Sequence, residues 1–214
     1  RQFMTNPVEV AIDEATDTVG TMHHLWLAAH HMDKDKVVSA ISRGAGKTVV
    51  FCQTKRVWDR VTDNLIALGI NAAAIHGELA QPAREKAMRR FAEGSLSVLV
   101  ATDVAARGID IDDIAVVIHY EPAKDNKDYL HRSGRTARAG ESGTVVTLSS
   151  SKNQRAVTGL LSRAGVTPKF HDVRPLDEKL MVITGAQEPT GVPYIPPIVE
   201  RKGPQGGSRS GGSR

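Results

Sequence analysis

The chain has 214 residues, of which 40% are hydrophobic and 24% charged, and this is typical of one globular domain with a substantial core. No apolar run reaches membrane-spanning length and no signal-peptide pattern opens the chain, so we expect no membrane partner. The net charge is +4, and residues 201–214 hold four basic side chains and no acid, so the rest of the chain is neutral overall. Any nucleic-acid affinity of residues 1–200 must therefore come from a local basic patch.

The chain begins Arg-Gln-Phe-Met-Thr-Asn-Pro without a start methionine, which is typical of a piece of a longer protein. Extended segments are predicted at Val8–Ile12 and Val19–Ala29, followed by a short helix at Lys34–Ser42. Short β-type runs and amphipathic helices then alternate. The strands are predicted at Val49–Cys52, Ala72–Ile75, Val98–Ala101, Ala115–His119 and Thr144–Leu148, and the helices at Arg56–Leu68, Pro82–Ala92, Asn126–Arg132 and Lys152–Ala164. This alternation predicts a single α/β domain, a parallel sheet with helices on both faces.

The regular pattern ends near Thr167. Four prolines between residues 189 and 197, followed by Gly-Gly-Ser-Arg repeats, predict an irregular extension over 166–200 and a flexible basic tail over 201–214.

Polar and basic residues follow four of the predicted elements in order. Thr54 and Lys55 end the first of these strands, Gln81 and Arg84 lie three apart at a helix start, and Thr102 leads a buried strand into a polar loop. Because the carboxyl ends of parallel strands form the ligand-binding edge of an α/β sheet, these residues are expected to share one edge.

The fourth segment, residues 131–138, is the most informative. In a helix that starts near Tyr129, His131, Arg132 and Arg135 lie towards one face, with Arg138 just beyond it. The guanidinium group suits phosphate oxygens, so this concentration of positive charge fits a phosphate site, and by itself it fits a solvated basic helix end equally well.

Two other patterns are weaker. Gly44-Ala45-Gly46-Lys47-Thr48 resembles a phosphate loop, but its first glycine is absent and a strand rather than a helix follows, which predicts a plain turn. The histidines at 23, 24, 30 and 31 have no companion cysteines or second ligand cluster, so no metal site is expected. The single cysteine, Cys52, fits a reducing, cytoplasmic location.

The segments Ala-Thr-Asp-Val-Ala-Ala-Arg-Gly-Ile-Asp at 101–110 and His-Arg-Ser-Gly-Arg-Thr-Ala-Arg at 131–138 closely resemble motifs in the C-terminal RecA-like lobe of DEAD-box RNA helicases. The resemblance covers about residues 1–165. It implies an interlobe linker over 1–18 and a RecA-like helicase domain over 19–165. Other superfamily-two helicases usually carry glutamine where this run has His131, so the resemblance favours RNA over DNA.

The resemblance implies a role for each site residue. The expected catalytic group is Arg135 and Arg138, which would reach the γ-phosphate of ATP, with His131 and Arg132 tying them to their neighbours. Asp110 would contact the ribose, and the expected cofactor-binding group is Asp110, Gly108 and the two arginines. Gly108 would also allow the RNA backbone to approach closely. The RNA backbone, single-stranded or in a short duplex and without regard to sequence, would be held by Thr54, Lys55, Gln81, Arg84, Thr102 and Arg107.

ATP with Mg²⁺ would be held mainly by an N-terminal RecA-like lobe of the same polypeptide, since the sequence contains no phosphate loop, no Asp-Glu-Ala-Asp element and no Ser-Ala-Thr element. We therefore expect the complete protein to be an ATP-dependent RNA helicase and this chain alone to be inactive. Two alternatives remain: the lobe of a DNA-directed superfamily-two translocase, and a passive RNA-binding module that uses its basic tail.

Overall fold

The computed structural model describes residues 18–19, 22–107, 109–138 and 140–197. The predicted segment at Val8–Ile12, nearly all of the predicted linker, Gly108 and the basic tail lie outside the described residues.

The described part contains a sheet of eight strands. They are β1 (Thr18–Val19), β2 (Met22–Ala28), β3 (Lys47–Phe51), β4 (Ala72–Ile75), β5 (Val98–Ala101), β6 (Ile114–His119), β7 (Gly143–Ser149) and β8 (Phe170–Asp172). The order is β1-β2-β7-β6-β3-β5-β4, and β8 also pairs with β2. Every pair is parallel except β1 with β2. This confirms the predicted RecA-like parallel sheet.

In the described residues, six α-helices cover the two faces of the sheet. They are α1 (Lys34–Gly44), α2 (Lys55–Ala67), α3 (Gln81–Ala92), α4 (Asn126–Ser133), α5 (Gln154–Arg163, preceded by a 3₁₀ turn at Ser151–Asn153) and α6 (Glu178–Thr184). Successive residues of a strand point to opposite faces. Accordingly, Val50 of β3 belongs to a core with α1, α2 and α6, whereas Val49 and Phe51 belong to a core with α3. A third core packs α4 and α5 against β2 and β7.

The extension over 166–197 is more ordered than the sequence indicates. β8 pairs with β2 and places Phe170 edge-on to Trp26, with ring centroids 4.9 Å apart. Leu180 of α6 is fully buried in the core of α1 and α2. A three-residue strand and a seven-residue helix are too short to show a period, which is why the pattern did not predict them.

After α6 the chain continues along α1 and α2 without regular structure. The amide of Gln187 donates to the carbonyl of Ala40, and that of Tyr194 donates to the carbonyl of Ile66, both at 2.9 Å. At Gly44 a Cβ atom would lie 1.8 Å from the carbonyl oxygen of Gly185, so only glycine allows this close approach. α1 ends at Gly44 and β3 begins at Lys47, so the Gly44–Thr48 segment is a turn between a helix and a strand. This confirms the predicted turn in place of a phosphate loop.

Candidate functional site

The carboxyl ends of the parallel strands bring the predicted site residues to one edge of the sheet. Thr54 follows β3, Gln81 and Arg84 follow β4, and Thr102 directly follows β5. α4, which carries the arginine run, follows β6, the neighbour of β3. The expected shared edge is therefore present.

A buried ion pair joins the arginine run to the loop after β5. Arg132 donates from Nε to Oδ1 of Asp103 at 2.6 Å and from Nη2 to Oδ2 at 2.8 Å. Its side chain is 2% exposed, and its guanidinium carbon lies 5.3 Å from the centroid of the Phe51 ring on β3. This bidentate pair occupies the guanidinium group of Arg132 and fixes the arginine run to the loop after β5.

The loop that follows α4 is fixed by buried contacts. The hydroxyl of Thr136 donates to the carbonyl of Ile114 at the start of β6. Ala137 adopts a left-handed conformation with φ of 54°. A Cβ atom on Gly143 would lie 2.1 Å from Oγ1 of Thr136, so the first residue of β7 must be glycine for the loop to pack there. The backbone between Arg135 and Arg138 is therefore closely constrained.

Arg135 and Arg138 are the half-buried arginines of the run, and both contact the segment after Gly108. Nη1 of Arg135 donates to the carbonyl of Ile109 at 3.0 Å. Nη1 of Arg138 donates to Oδ1 of Asp110 at 2.6 Å, and Asp110 is 90% exposed. Both arginine side chains are partly exposed, so their guanidinium groups lie near the surface.

A cavity of about 240 Å³ opens beside the run. Its lining includes exposed His131 and exposed Arg107 together with Arg135 and the Arg132–Asp103 pair. The structure thus brings His131, Arg132, Arg135, Arg138 and Asp110 together, whereas Gly108 lies outside the described residues.

The residues expected to bind RNA lie on the neighbouring loops. Arg84 donates from Nη2 to the carbonyls of Ala105 and Arg107, at 2.9 and 3.2 Å, so α3 holds the loop after β5. Oγ1 of Thr102 accepts from the amide of Ala105 at 3.3 Å within that loop. Exposed Thr54 is the N-cap of α2, a position whose free backbone amides suit a phosphate.

Lys55 and Gln81 are exposed and contact carboxylates. Lys55 forms an ion pair with Glu78, which raises the pKa of Lys55 through the hydrogen bond and the charge and lowers that of Glu78 in the same way. Gln81 donates to Glu85 at 2.9 Å along α3. Pairs this exposed are weak, so both side chains can exchange their partners for a ligand.

A group of buried polar rings lies beneath α4. His119 of β6 is fully buried, and its ring centroid is 4.9 Å from that of Tyr129 on α4. The hydroxyl of Tyr129 lies 2.6 Å from Nδ1 of His24. Burial, helped by the positive charge of Arg132 and by His24, holds the pKa of His119 well below its usual value, so the ring is neutral at pH 7.

The histidines that formed the weak metal pattern in the sequence do not meet at one site. His24 points inward to Tyr129, whereas the exposed rings of His30 and His31 stack on each other with centroids 4.2 Å apart. Within the described ranges, no three His, Cys, Asp or Glu side chains are grouped as metal ligands. No described helix is long and apolar enough to cross a membrane.

Sequence reasoning gave no role to Asp103 or Phe51, although Asp103 lies within the quoted segment at 101–110. The available signal was an acid two residues after the end of a buried strand, in a chain that also contains an arginine-rich segment. Its partner could be named only once β3 was known to lie between β5 and β6.

Comparison with known proteins identifies the family. Residues 33–140 match the helicase conserved C-terminal domain family. The chain belongs to this family. It is similar to the ATP-dependent rRNA helicase RRP3 of Gibberella zeae, with 42% identity over 153 residues. The aligned region covers 69% of this chain and 31% of that protein.

Solved structures show that the similarity is to one lobe of the DEAD-box proteins. The E. coli DEAD-box protein SrmB bound to RraA matches with 32% identity and a TM-score of 0.62, covering 73% of this chain and 92% of that chain. The S. cerevisiae protein Dbp5 bound to RNA and ADP BeF₃ matches with 26% identity and a TM-score of 0.68, covering 78% of this chain and 45% of that chain. The chain is the C-terminal RecA-like lobe of a DEAD-box protein, and it spans about a third of the length of RRP3.

The Arg132–Asp103 pair predicts that removing one of the two charges lowers the free energy of unfolding much more than removing both. Asp103→Ala leaves the buried guanidinium of Arg132 without a counter-charge, so we expect the lobe to lose about 3–5 kcal/mol of unfolding free energy in urea. Asp103→Leu combined with Arg132→Met removes both charges and should restore most of that loss.

The matched control is Asp112→Ala, because Asp112 is an exposed acid on the same connection. It should change the unfolding free energy by less than about 0.5 kcal/mol. A similar small effect for Asp103→Ala would show that the pair does not hold the site together.

His119 predicts a loss of stability in acid. Because its pKa is depressed in the folded lobe, the unfolded chain takes up a proton first as the pH falls below about 6.5, the ordinary histidine pKa. The free energy of unfolding should fall by up to about 1.4 kcal/mol per pH unit from there. His119→Phe, which keeps a ring, should weaken this dependence in urea unfolding series, and an identical pH profile for the variant would contradict the assignment.

Proposed function

We propose that this lobe acts in an ATP-dependent RNA helicase, where it binds the RNA backbone and presents Arg135 and Arg138 to ATP held by an N-terminal lobe. The observation that carries the proposal is that the guanidinium groups of Arg135 and Arg138 lie near the surface beside Asp110. Both belong to a loop whose backbone is fixed by buried contacts. The RNA and ADP BeF₃ bound to the related Dbp5 support the same pair of ligands here.

The two arginines suit the charge that develops on a transferring phosphoryl group. A guanidinium placed at the γ-phosphate typically accelerates hydrolysis by about 10³–10⁵, which corresponds to about 4–7 kcal/mol. Arg138 is held at Asp110 in this lobe, so binding of ATP with Mg²⁺ between the lobes exchanges the carboxylate for phosphate at Arg138 and leaves Asp110 for the ribose. Mg²⁺ would be held mainly by the other lobe.

RNA is bound through its backbone in this proposal. Thr54, Arg84 and Thr102 offer hydroxyls, a guanidinium and nearby backbone amides, all of which contact phosphate and sugar rather than base edges. Lys55, Gln81 and Arg107 border the same loops. Binding is therefore independent of sequence.

The two ligands are coupled through one short connection. Thr102 and Asp103 are adjacent, and Asp103 holds Arg132 in the run that contains both arginine fingers. A shift of the loop after β5 on binding RNA thus acts on the position of Arg135 and Arg138. Closure of the two lobes on both ligands then bends one RNA strand and separates a short duplex locally.

The proposal predicts a specific loss for Arg138→Ala in the protein with both lobes. RNA-stimulated ATP hydrolysis should fall by about 10³-fold or more, because a fork at the γ-phosphate is removed, while most RNA affinity is retained. Turnover is measured by phosphate release and RNA affinity by fluorescence anisotropy.

Arg174→Ala, which removes an exposed arginine from the extension, is the control and should leave both quantities unchanged. Unchanged turnover in Arg138→Ala would contradict the proposed role. If deletion of residues 201–214 abolished RNA binding while Arg84→Ala had no effect, the lobe would be a passive RNA-binding module that uses its basic tail.

A further inference from the structure

A second cavity, of about 650 Å³, lies at the carboxyl ends of β2, β7 and β6. Its floor is formed by the residues that follow these three strands, and α5 forms one wall. We call it the α5 groove. It opens on the same edge of the sheet as the predicted RNA site, on the far side of β3.

The α5 groove is rich in unpaired positive charge. Lys124, Arg155 and Arg163 line it and are exposed. Within the described ranges, none of the three forms an ion pair with a carboxylate. A Cβ atom on Gly159 would lie 3.3 Å from Nη1 of Arg163, so the arginine lies along α5 over this glycine. Such a cluster repels itself unless an anion is nearby.

One carboxylate, that of Glu121, also lines the groove. Its Oε2 accepts a hydrogen bond from the amide of Gln53 at 3.1 Å, and the three exposed cations that line the groove outnumber this single acid. Burial raises the pKa of Glu121 despite that bond and the nearby cations. Lys34 is fixed on the floor, where its Nζ donates to the carbonyl of Tyr120 and lies 4.1 Å from the centroid of that ring.

The α5 groove is continuous with the RNA site. Gln53 lines the groove and immediately precedes Thr54, which the proposed function places on the RNA backbone. Its side chain donates to the carbonyl of Pro122 at 2.8 Å and so joins the ends of β3 and β6. An RNA strand that extends from Thr54 towards β6 therefore reaches the α5 groove first.

We propose that the α5 groove binds the phosphate backbone of the same RNA strand, beyond the segment held at Thr54, Arg84 and Thr102. This inference rests on the proposed function. The continuity at Gln53 favours RNA over an acidic protein partner, because an RNA strand bound at Thr54 extends directly into the groove. Each cation that contacts a phosphate on a single strand contributes about 0.7 to the slope of log affinity against log salt.

The test compares two single-stranded oligouridylates, a short one and one twice as long, on this 214-residue chain. Lys124→Gln, Arg155→Gln and Arg163→Gln are combined in one variant. Affinity for the long RNA should fall about tenfold and its salt slope should decrease by about 2, while affinity for the short RNA stays the same. The matched control replaces three exposed lysines outside the groove by Gln, at positions 36, 169 and 179, and should leave the preference for long RNA intact.

Other results overturn the inference and separate its failure from that of the proposed function. If the groove variant binds long RNA normally while Arg84→Ala weakens both lengths, the groove is not an RNA site but the proposed function stands. If neither change affects RNA binding, both are wrong. Equal losses for the two lengths would show a general charge effect, and loss of binding to polyglutamate alone would show a site for an acidic protein.

Discussion

The ion pair between Arg132 and Asp103 is the interaction on which the rest of the site depends. It spans the carboxyl end of β3, passes over the ring of Phe51 and joins the loop after β5 to the helix after β6. Such a pair adds little net stability over apolar residues of the same size, because the buried guanidinium of Arg132 must be desolvated. Its effect is geometric: the loop that contains Thr102 and the run that contains Arg135 and Arg138 cannot move independently.

The contacts of Arg135 and Arg138 hold both guanidinium groups near the surface through partners that are easily replaced. Arg138 pairs with Asp110, which is 90% exposed, and a pair at such an exposure contributes at most about 1 kcal/mol. Replacing that carboxylate by a phosphate therefore costs little. The same surface exposure applies to the neighbouring ion pair of Lys55 with Glu78. A fixed backbone with exchangeable side-chain partners fits the proposed completion of this site by a second lobe.

Much of this arrangement is predictable from the sequence. Alternating apolar runs and amphipathic helices indicate the parallel sheet, and parallel strands bring Thr54, Arg84 and Thr102 to one edge without any coordinates. The role of Asp103 is not predictable in the same way, because it depends on the strand order that places β3 between β5 and β6. β8 and α6 escape prediction because they are too short to show a period, and their stability comes from packing on β2 and α1.

If this lobe supplies half of an RNA-dependent ATPase site, as proposed, ATP hydrolysis depends on which polymer is added. The measurement uses the protein with both lobes and compares turnover with RNA, with DNA of the same sequence and with neither. We expect RNA alone to stimulate hydrolysis. Equal stimulation by DNA would contradict it and indicate a DNA translocase, and absence of turnover under all three conditions would contradict it in favour of a binding module.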